Sequence, residues 1–322
     1  MSEIKDSQLL EKKKLIELVI DEVHKKIIWQ ENLVRDLIIW LLTWGHILLE
    51  WVPWVAKTLT IDTLSKTLDL DFKRVQFTPD LLPSDLIGTQ IYNQAKSKFE
   101  TKKGPIFTNF LLADEINRAP SKVQSALLEA MAEKQITIWE ESYKLSDPFI
   151  VLATQNPIEQ SGTYKLPEAE LDRFMMKSYV EYPTKKEELE ILAKLDSIEH
   201  DEVQKILKIK DILDIQKLIS EIHVSENISE YITDLVFATR KPNAEIGKYL
   251  NYGVSPRWSI SLIKASKVVA FLDGRDFVIP EDVKEIAVSA LAHRLVLNYE
   301  AVADNISGED IVKLVLNTVK IR

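Results

Sequence analysis

NFLLADEINRAP, residues 109–120, is an apolar run that ends in two adjacent carboxylates, Asp114 and Glu115. Such a run, bounded by breakers, reads as a buried strand of the kind that parallel sheets contain. Open α/β sheets take their ligands at the carboxyl ends of their strands, so the two acids stand where chemistry is expected. Asp114 would help hold Mg²⁺ there, and Glu115 would orient or deprotonate an attacking water. A strand end carrying two solvated acids reads the same in isolation, so the surrounding sequence has to decide.

Upstream, HILLEW (46–51), a Pro-containing loop and TLTIDTLSKTL (58–68) give the order strand, loop, helix that a phosphate-binding unit needs. The loop ends in Lys57-Thr58. In such loops the lysine reaches the β and γ phosphates, the hydroxyl joins Mg²⁺, and backbone N–H groups cradle the phosphate oxygens. Lys-Thr pairs are common elsewhere, and the pair gains meaning only from its place. FIVLATQNP (149–157) is another apolar strand, which would present Asn156 to a γ-phosphate or a lytic water, or simply cap a strand end. LDRF (171–174) supplies Arg173, and SPR (255–257) sets Arg257 at a helix start. Arginine spreads the charge of a transferred phosphoryl group well, although surface ion pairing is the competing role for both.

Residues 8–42 carry helical spacing and are expected to form two helices separated by IIWQ. Further apolar runs stand at FKRVQFT (72–78) and at QITIW (135–139) with YKL (143–145). Strands alternating with helices predict a parallel sheet covered on both faces, because parallel strands need crossover connections. After Tyr182 the chain reads as amphipathic helices, one of which starts at PEDV (280–283) with proline in its first turn and two carboxylates near the positive end of the dipole. The expected division is an α/β domain over 1–183 and an all-helical domain over 184–322.

A chain of 322 residues is long enough for two cores. Its hydrophobic and charged fractions, 46% and 28%, are those of an ordinary soluble protein, with no apolar run long enough to insert in a membrane. A net charge of −9 argues against nucleic acid as a general partner. The absence of cysteine excludes disulfides and thiolate metal sites, and with a charged N-terminus it points to the cytoplasm.

The run from about Gln30 to Arg173 resembles the MoxR family of AAA+ ATPases. FTPDLLPSDLIGT (77–89), GPIF (104–107), LLADEINRAPSKVQSALLEAMAEKQ (111–135), LATQNPIEQSGTY (152–164) and LPEAELDRF (166–174) are close to that family's signature wording. The resemblance implies an AAA+ core followed by a helical lid. It implies ATP and Mg²⁺ as cofactors, with Lys57-Thr58 in Walker A, Asp114-Glu115 in Walker B and Asn156 as sensor 1. Arg173 becomes the finger serving a neighbouring subunit, and Arg257 becomes sensor 2. It further implies a hexameric ring and chaperone-like action on protein clients, among them proteins with von Willebrand factor A domains.

The phosphate loop departs from the family. Relatives commonly read G-x-P-G-x-A-K-T, whereas this chain reads Trp51-Val52-Pro53-Trp54-Val55-Ala56-Lys57-Thr58. Pro53 and Ala56 keep the family pattern, but Trp51 and Trp54 stand where glycine permits unusual dihedrals and close backbone approach to phosphate. By the same resemblance Trp29 and Trp44 replace glycines, Trp258 follows sensor 2, and Trp139 sits at a hairpin turn. Trp40 lies on the helix between Trp29 and Trp44. All but Trp139 of the seven tryptophans are therefore expected to converge on one pocket and fill it. Two readings follow: a chain that keeps the fold but binds nucleotide poorly or not at all, and an active ATPase with a tolerated loop. The first is preferred for this sequence, with weakened ring assembly as its corollary.

Overall fold

The computed structural model describes residues 2–27, 30–51, 57–157, 162–180, 182–194 and 201–321, without the side chains of 2–6, 57 and 58. Five parallel strands form the central sheet: β1 (Ile47–Trp51), β2 (Phe72–Gln76), β3 (Phe110–Asp114), β4 (Ile150–Gln155) and β5 (Met176–Val180). Their order is β5-β1-β4-β3-β2, so strand order reverses at β1 and β4. Because side chains alternate between faces, each central strand feeds two cores. Ile47, Leu49, Trp51, Phe110, Leu112, Ile150 and Leu152 point to one apolar layer, and Leu48, Leu111, Ala113, Val151 and Ala153 point to the other.

The first layer is covered by α1 (Ser2–His24), α2 (Glu31–Thr43) and α3 (Lys57–Thr67), the second by α4 (Ser121–Glu133). His46, just before β1, ties α4 to the sheet. Its Nδ1 accepts from the Val151 amide at 3.1 Å, so its Nε2 bears the proton and donates to the Met131 carbonyl at 3.3 Å. Burial lowers the pKa of His46 to about 4, keeping the ring neutral.

The strands at 46–51, 72–78, 109–115 and 149–156 appear within a residue or two of expectation, as does the second N-terminal helix, whereas the first begins at Ser2, six residues before the expected start. The runs at 135–145 pair with each other outside the central sheet, Gln135–Ile138 antiparallel to Glu141–Lys144, and Trp139 occupies the two-residue turn at φ 59°, the hairpin turn expected there. A second hairpin, Gly88–Asn93 with Lys98–Lys103, went unpredicted, as did β5. The helical C-terminal part contains α5 (Ile209–Ser220), α6 (Glu226–Arg240), α7 (Arg257–Leu272), α8 (Pro280–Leu291) and α9 (Gly308–Thr318). It is not strictly all-helical: Leu207–Lys208 pairs with Leu68–Asp69, and Leu250–Tyr252 with Val296–Leu297. Pro280 opens α8 as read, and Asp282 caps it by accepting from the Ile279 amide at 2.8 Å while pairing with Arg275 at 2.6 Å.

One apolar cluster runs from α1 and α2 into the C-terminal helices. Arg35 of α2 adds a polar tie, bonding Glu285 of α8 and, at 3.0 Å, Asp273. Among the described residues no helix is long and apolar enough to cross a membrane.

Candidate functional site

The carboxyl edge of the sheet gathers Glu50 from β1, Gln76 from β2, Asp114-Glu115 from β3 and Gln155-Asn156 from β4. A cavity of about 580 Å³ opens there, lined by Glu50, Asn117, Gln155, Asn156, Tyr164 and Lys165 among others. Lys57 and Thr58 form the first turn of α3, and the free N–H groups of a helix N-terminus favour anions. Pro53, Trp54 and Ala56, together with Trp29, lie outside the described residues.

Asp114 is buried, and one carboxylate oxygen accepts from Thr154 Oγ1 at 2.6 Å while the other pairs with the Arg74 guanidinium at 2.5 Å. Glu115 sits in the left-handed region at φ 57°, which turns the chain off the sheet, and its amide donates to Thr154 Oγ1 at 2.9 Å. Its carboxylate is held by Gln76 Nε2 and Arg118 Nε, both at 2.9 Å. Asn156 is anchored through its carbonyl, which accepts from Asn117 Nδ2 at 3.3 Å. Beside it Gln155 Nε2 donates to Glu50 at 2.9 Å, and Glu50 pairs with Lys177 at 2.6 Å. Burial opposes the Lys177 charge, yet Glu50 raises its pKa above the usual lysine value.

Arg74, Gln76, Thr154 and Glu50 escaped the reading of the sequence. Their shared signal was position, since each lies in the last two or three residues of a strand entering the same edge. Among the described residues no three His, Cys, Asp or Glu side chains cluster as a metal site. Asp114 places a carboxylate at this edge, and the Thr58 side chain lies outside the described ones.

The chain matches the model of the ATPase family associated with various cellular activities (AAA) over residues 46–176 and the AAA lid domain over 244–315. It is 46% identical over 308 residues to the chaperone MoxR1 of Mycobacterium tuberculosis, covering 94% of this chain and 81% of that one. The chain belongs to the MoxR family of AAA+ ATPases. The protein MoxR of Paracoccus denitrificans is 32% identical over 295 residues, covering 84% of this chain and 86% of its own. A crystal structure from Cytophaga hutchinsonii, described as a candidate ATPase, superposes with a TM-score of 0.90 at 52% identity, covering 100% of this chain and 98% of that one.

Within this MoxR chain the described tryptophans do not converge as expected. Trp44 caps α2 at φ 52° before β1 begins, and it lines a different cavity of about 420 Å³ with Ile219 and Ile263. A five-residue strand separates it from the phosphate loop, roughly 17 Å at about 3.3 Å per residue. Trp40 is fully buried against Phe110, edge to face at 5.1 Å, at the amino end of β3. Trp258 turns to the seam between the AAA core and the lid, where its Nε1 donates to Asp172 at 2.7 Å, and it does not line the 580 Å³ cavity. Trp51 is extended and paired with Val180, so no left-handed strain arises there. Its indole is 3% exposed on the face shared with Leu49, and its N–H has no partner among the described residues.

Arg173 follows the short helix Glu168–Leu171, and Arg257 is the first residue of α7. Both side chains are exposed and have no polar partner among the described residues.

Proposed function

We propose that this chain is a MoxR-type remodelling protein whose own nucleotide binding is weak or lost. Its family couples ATP binding and hydrolysis to chaperone-like maturation of partner proteins. In this reading Lys57 reaches the β and γ phosphates, Thr58 and Asp114 hold Mg²⁺, and Glu115 orients water. Asn156 senses the γ-phosphate, Arg257 closes from the lid, and Arg173 serves the next subunit of a hexameric ring. The boundary between the two units falls near residue 183. The clients are proteins, including von Willebrand factor A domain proteins, and the setting is the cytoplasm.

The observation that carries the impairment is Trp51, a buried indole with an unpaired N–H at the point where β1 passes into the phosphate loop. Glycine lets backbone amides close around phosphate, whereas an indole anchored in the core pins the first residue of the loop away from that conformation. Trp54 brings a second indole into the same loop. The alternative, an active ATPase, is supported by the presence of Asp114, Glu115 and Asn156 together at the carboxyl edge of the sheet.

Calorimetric titration with MgATP separates the two. The expected result is no binding heat in the micromolar range, with heat restored in the variant carrying Trp51→Gly and Trp54→Gly. Micromolar affinity in the unaltered chain would overturn the impairment. Light scattering should find a weakened ring, and a stable nucleotide-free hexamer would contradict that corollary.

A further inference from the structure

Arg173 and Arg257 lie in different parts of the fold, yet each is the immediate neighbour of one member of a bonded pair. The Trp258 indole Nε1 donates to Asp172 Oδ1 at 2.7 Å, and the indole is only 4% exposed. Arg294 of the lid lays its guanidinium over that indole, donates to the Phe174 carbonyl, and brings Nε within 3.7 Å of Asp172. His293 Nε2 stands 3.2 Å from the same carbonyl, and burial pushes its pKa well below the usual value, so the neutral ring donates there.

The turn is anchored on its C-terminal side by the Phe174 ring, fully buried in the apolar layer under α4, whereas Asp172 and Arg173 are held more lightly. The amides of Arg173 and Phe174 bond only within the turn, to Glu170 and Leu171 at 3.1 Å each. The chain rejoins the sheet at Met175, whose amide donates to the His46 carbonyl at 2.7 Å. Outside the buried Phe174 ring, the Asp172 carboxylate and the Phe174 carbonyl, which flank Arg173, are met by three lid side chains, Trp258, His293 and Arg294.

We propose that Asp172 is a positioning residue that makes the placement of Arg173 depend on the lid of its own subunit, through the Trp258 indole. Lid position at one nucleotide site would thereby set the arginine offered to the next. This rests on reading Arg173 as the residue that serves a neighbour. The Trp258 indole is the lever, because a small residue after Arg257 offers no donor to Asp172.

The cysteine-free sequence permits a direct test, since the thiol introduced by Arg173→Cys is unique and takes a single nitroxide. Trp258→Phe keeps a ring under Arg294 while removing the donor, and Asp172→Asn keeps the shape while removing the charge. A hydrogen bond to a charged group is strong enough that its loss should raise the population of the loosened turn on the order of tenfold. The expected result is a nitroxide spectrum that becomes more mobile in either variant. The double variant should add nothing beyond the larger single effect. Unchanged spectra in both single variants overturn the coupling, whether or not the chain binds nucleotide.

A second measurement uses the background carrying Trp51→Gly and Trp54→Gly. There Trp258→Phe should lower kcat on the order of tenfold at constant KM, as Arg173→Ala does. Loss through Arg173→Ala without loss through Trp258→Phe overturns the positioning role. An Arg173→Ala variant with full kcat overturns the reading of Arg173, and this proposal with it.

Discussion

Replacing Trp51 by glycine should destabilise the free protein and yet create stabilisation by MgATP, two effects of opposite sign from one residue. The indole is 3% exposed, and truncating a buried Trp typically costs ~3–5 kcal/mol in transfer and cavity terms. Glycine in a strand adds roughly 0.5–1 kcal/mol of backbone entropy. Against this, the orphaned indole N–H disappears, returning ~1–3 kcal/mol. The net loss is therefore about 0.5–5 kcal/mol in the absence of ligand. Opening the loop then lets nucleotide act by mass action, and a ligand at one hundred times its Kd contributes ~2.7 kcal/mol. Urea unfolding followed by tryptophan fluorescence, with and without MgATP, reads both numbers. The unaltered chain should show one midpoint under both conditions. The variant with Trp51→Gly and Trp54→Gly should show a lower midpoint that MgATP raises. If MgATP raises the midpoint of the unaltered chain by as much as that of the variant, the buried indole is not what limits the loop.

Three further outcomes follow from the same geometry. Trp139 sits at φ 59° with 73% of its surface exposed, so Trp139→Gly relieves ~1–2 kcal/mol of left-handed strain, part of it offset by unfolded-state entropy. A gain of roughly 0.5–1 kcal/mol in urea midpoints is expected, and a loss would show that the ring stabilises the hairpin. His46 titrates at about 4 when folded and near 6.5 when unfolded, so the unfolded chain binds the extra proton between those values. Its contribution, on the order of 3 kcal/mol, is complete above pH 6.5 and lost as pH falls towards 4; a His46→Gln variant should be flatter across that window. Asp36 carries the opposite sign, because burial raises its pKa to about 6 despite the bond from Ser178. Stability should fall as pH rises from about 4 to 6, and Asp36→Asn should remove that slope and stabilise the protein at neutral pH by ~1–2 kcal/mol.

The fold was legible because burial on both faces writes itself into composition. HILLEW, NFLLADE and FIVLATQN are apolar without alternation, and they became β1, β3 and β4, the three strands with neighbours on each side. The edge strand β5 was missed because MKSYV alternates and exposes Tyr179, so its pattern is half polar. The hairpin over 88–103 was missed for a related reason: it stands outside both cores and leaves Ile91, Tyr92 and Phe99 in solvent, which gives no buried face for periodicity to report. At the site, the acids and Asn156 were found because a strand end marks them, whereas Arg74 and Thr154 were not, because they act across strands. Arg74 reaches Asp114 from β2 and Thr154 reaches it from β4, contacts at sequence separations of 40 that only strand order creates.

Strand order also explains the misplaced tryptophans. Trp44 and Trp51 are close neighbours in sequence and each replaces a family glycine, which suggested one pocket. An extended strand lies between them, and parallel strands present their two ends to different chemistry. Trp44 therefore stands at the amino end, where a left-handed cap and an apolar cavity receive it, and a large residue there bears on packing between α2 and the lid. Trp51 stands at the carboxyl end, where phosphate must be met by backbone amides. A Trp44→Gly variant should consequently alter stability while leaving nucleotide affinity as it is, whereas Trp51→Gly should change both. Equal gains in MgATP affinity from the two variants would show that the ends of β1 are coupled more tightly than a rigid strand allows.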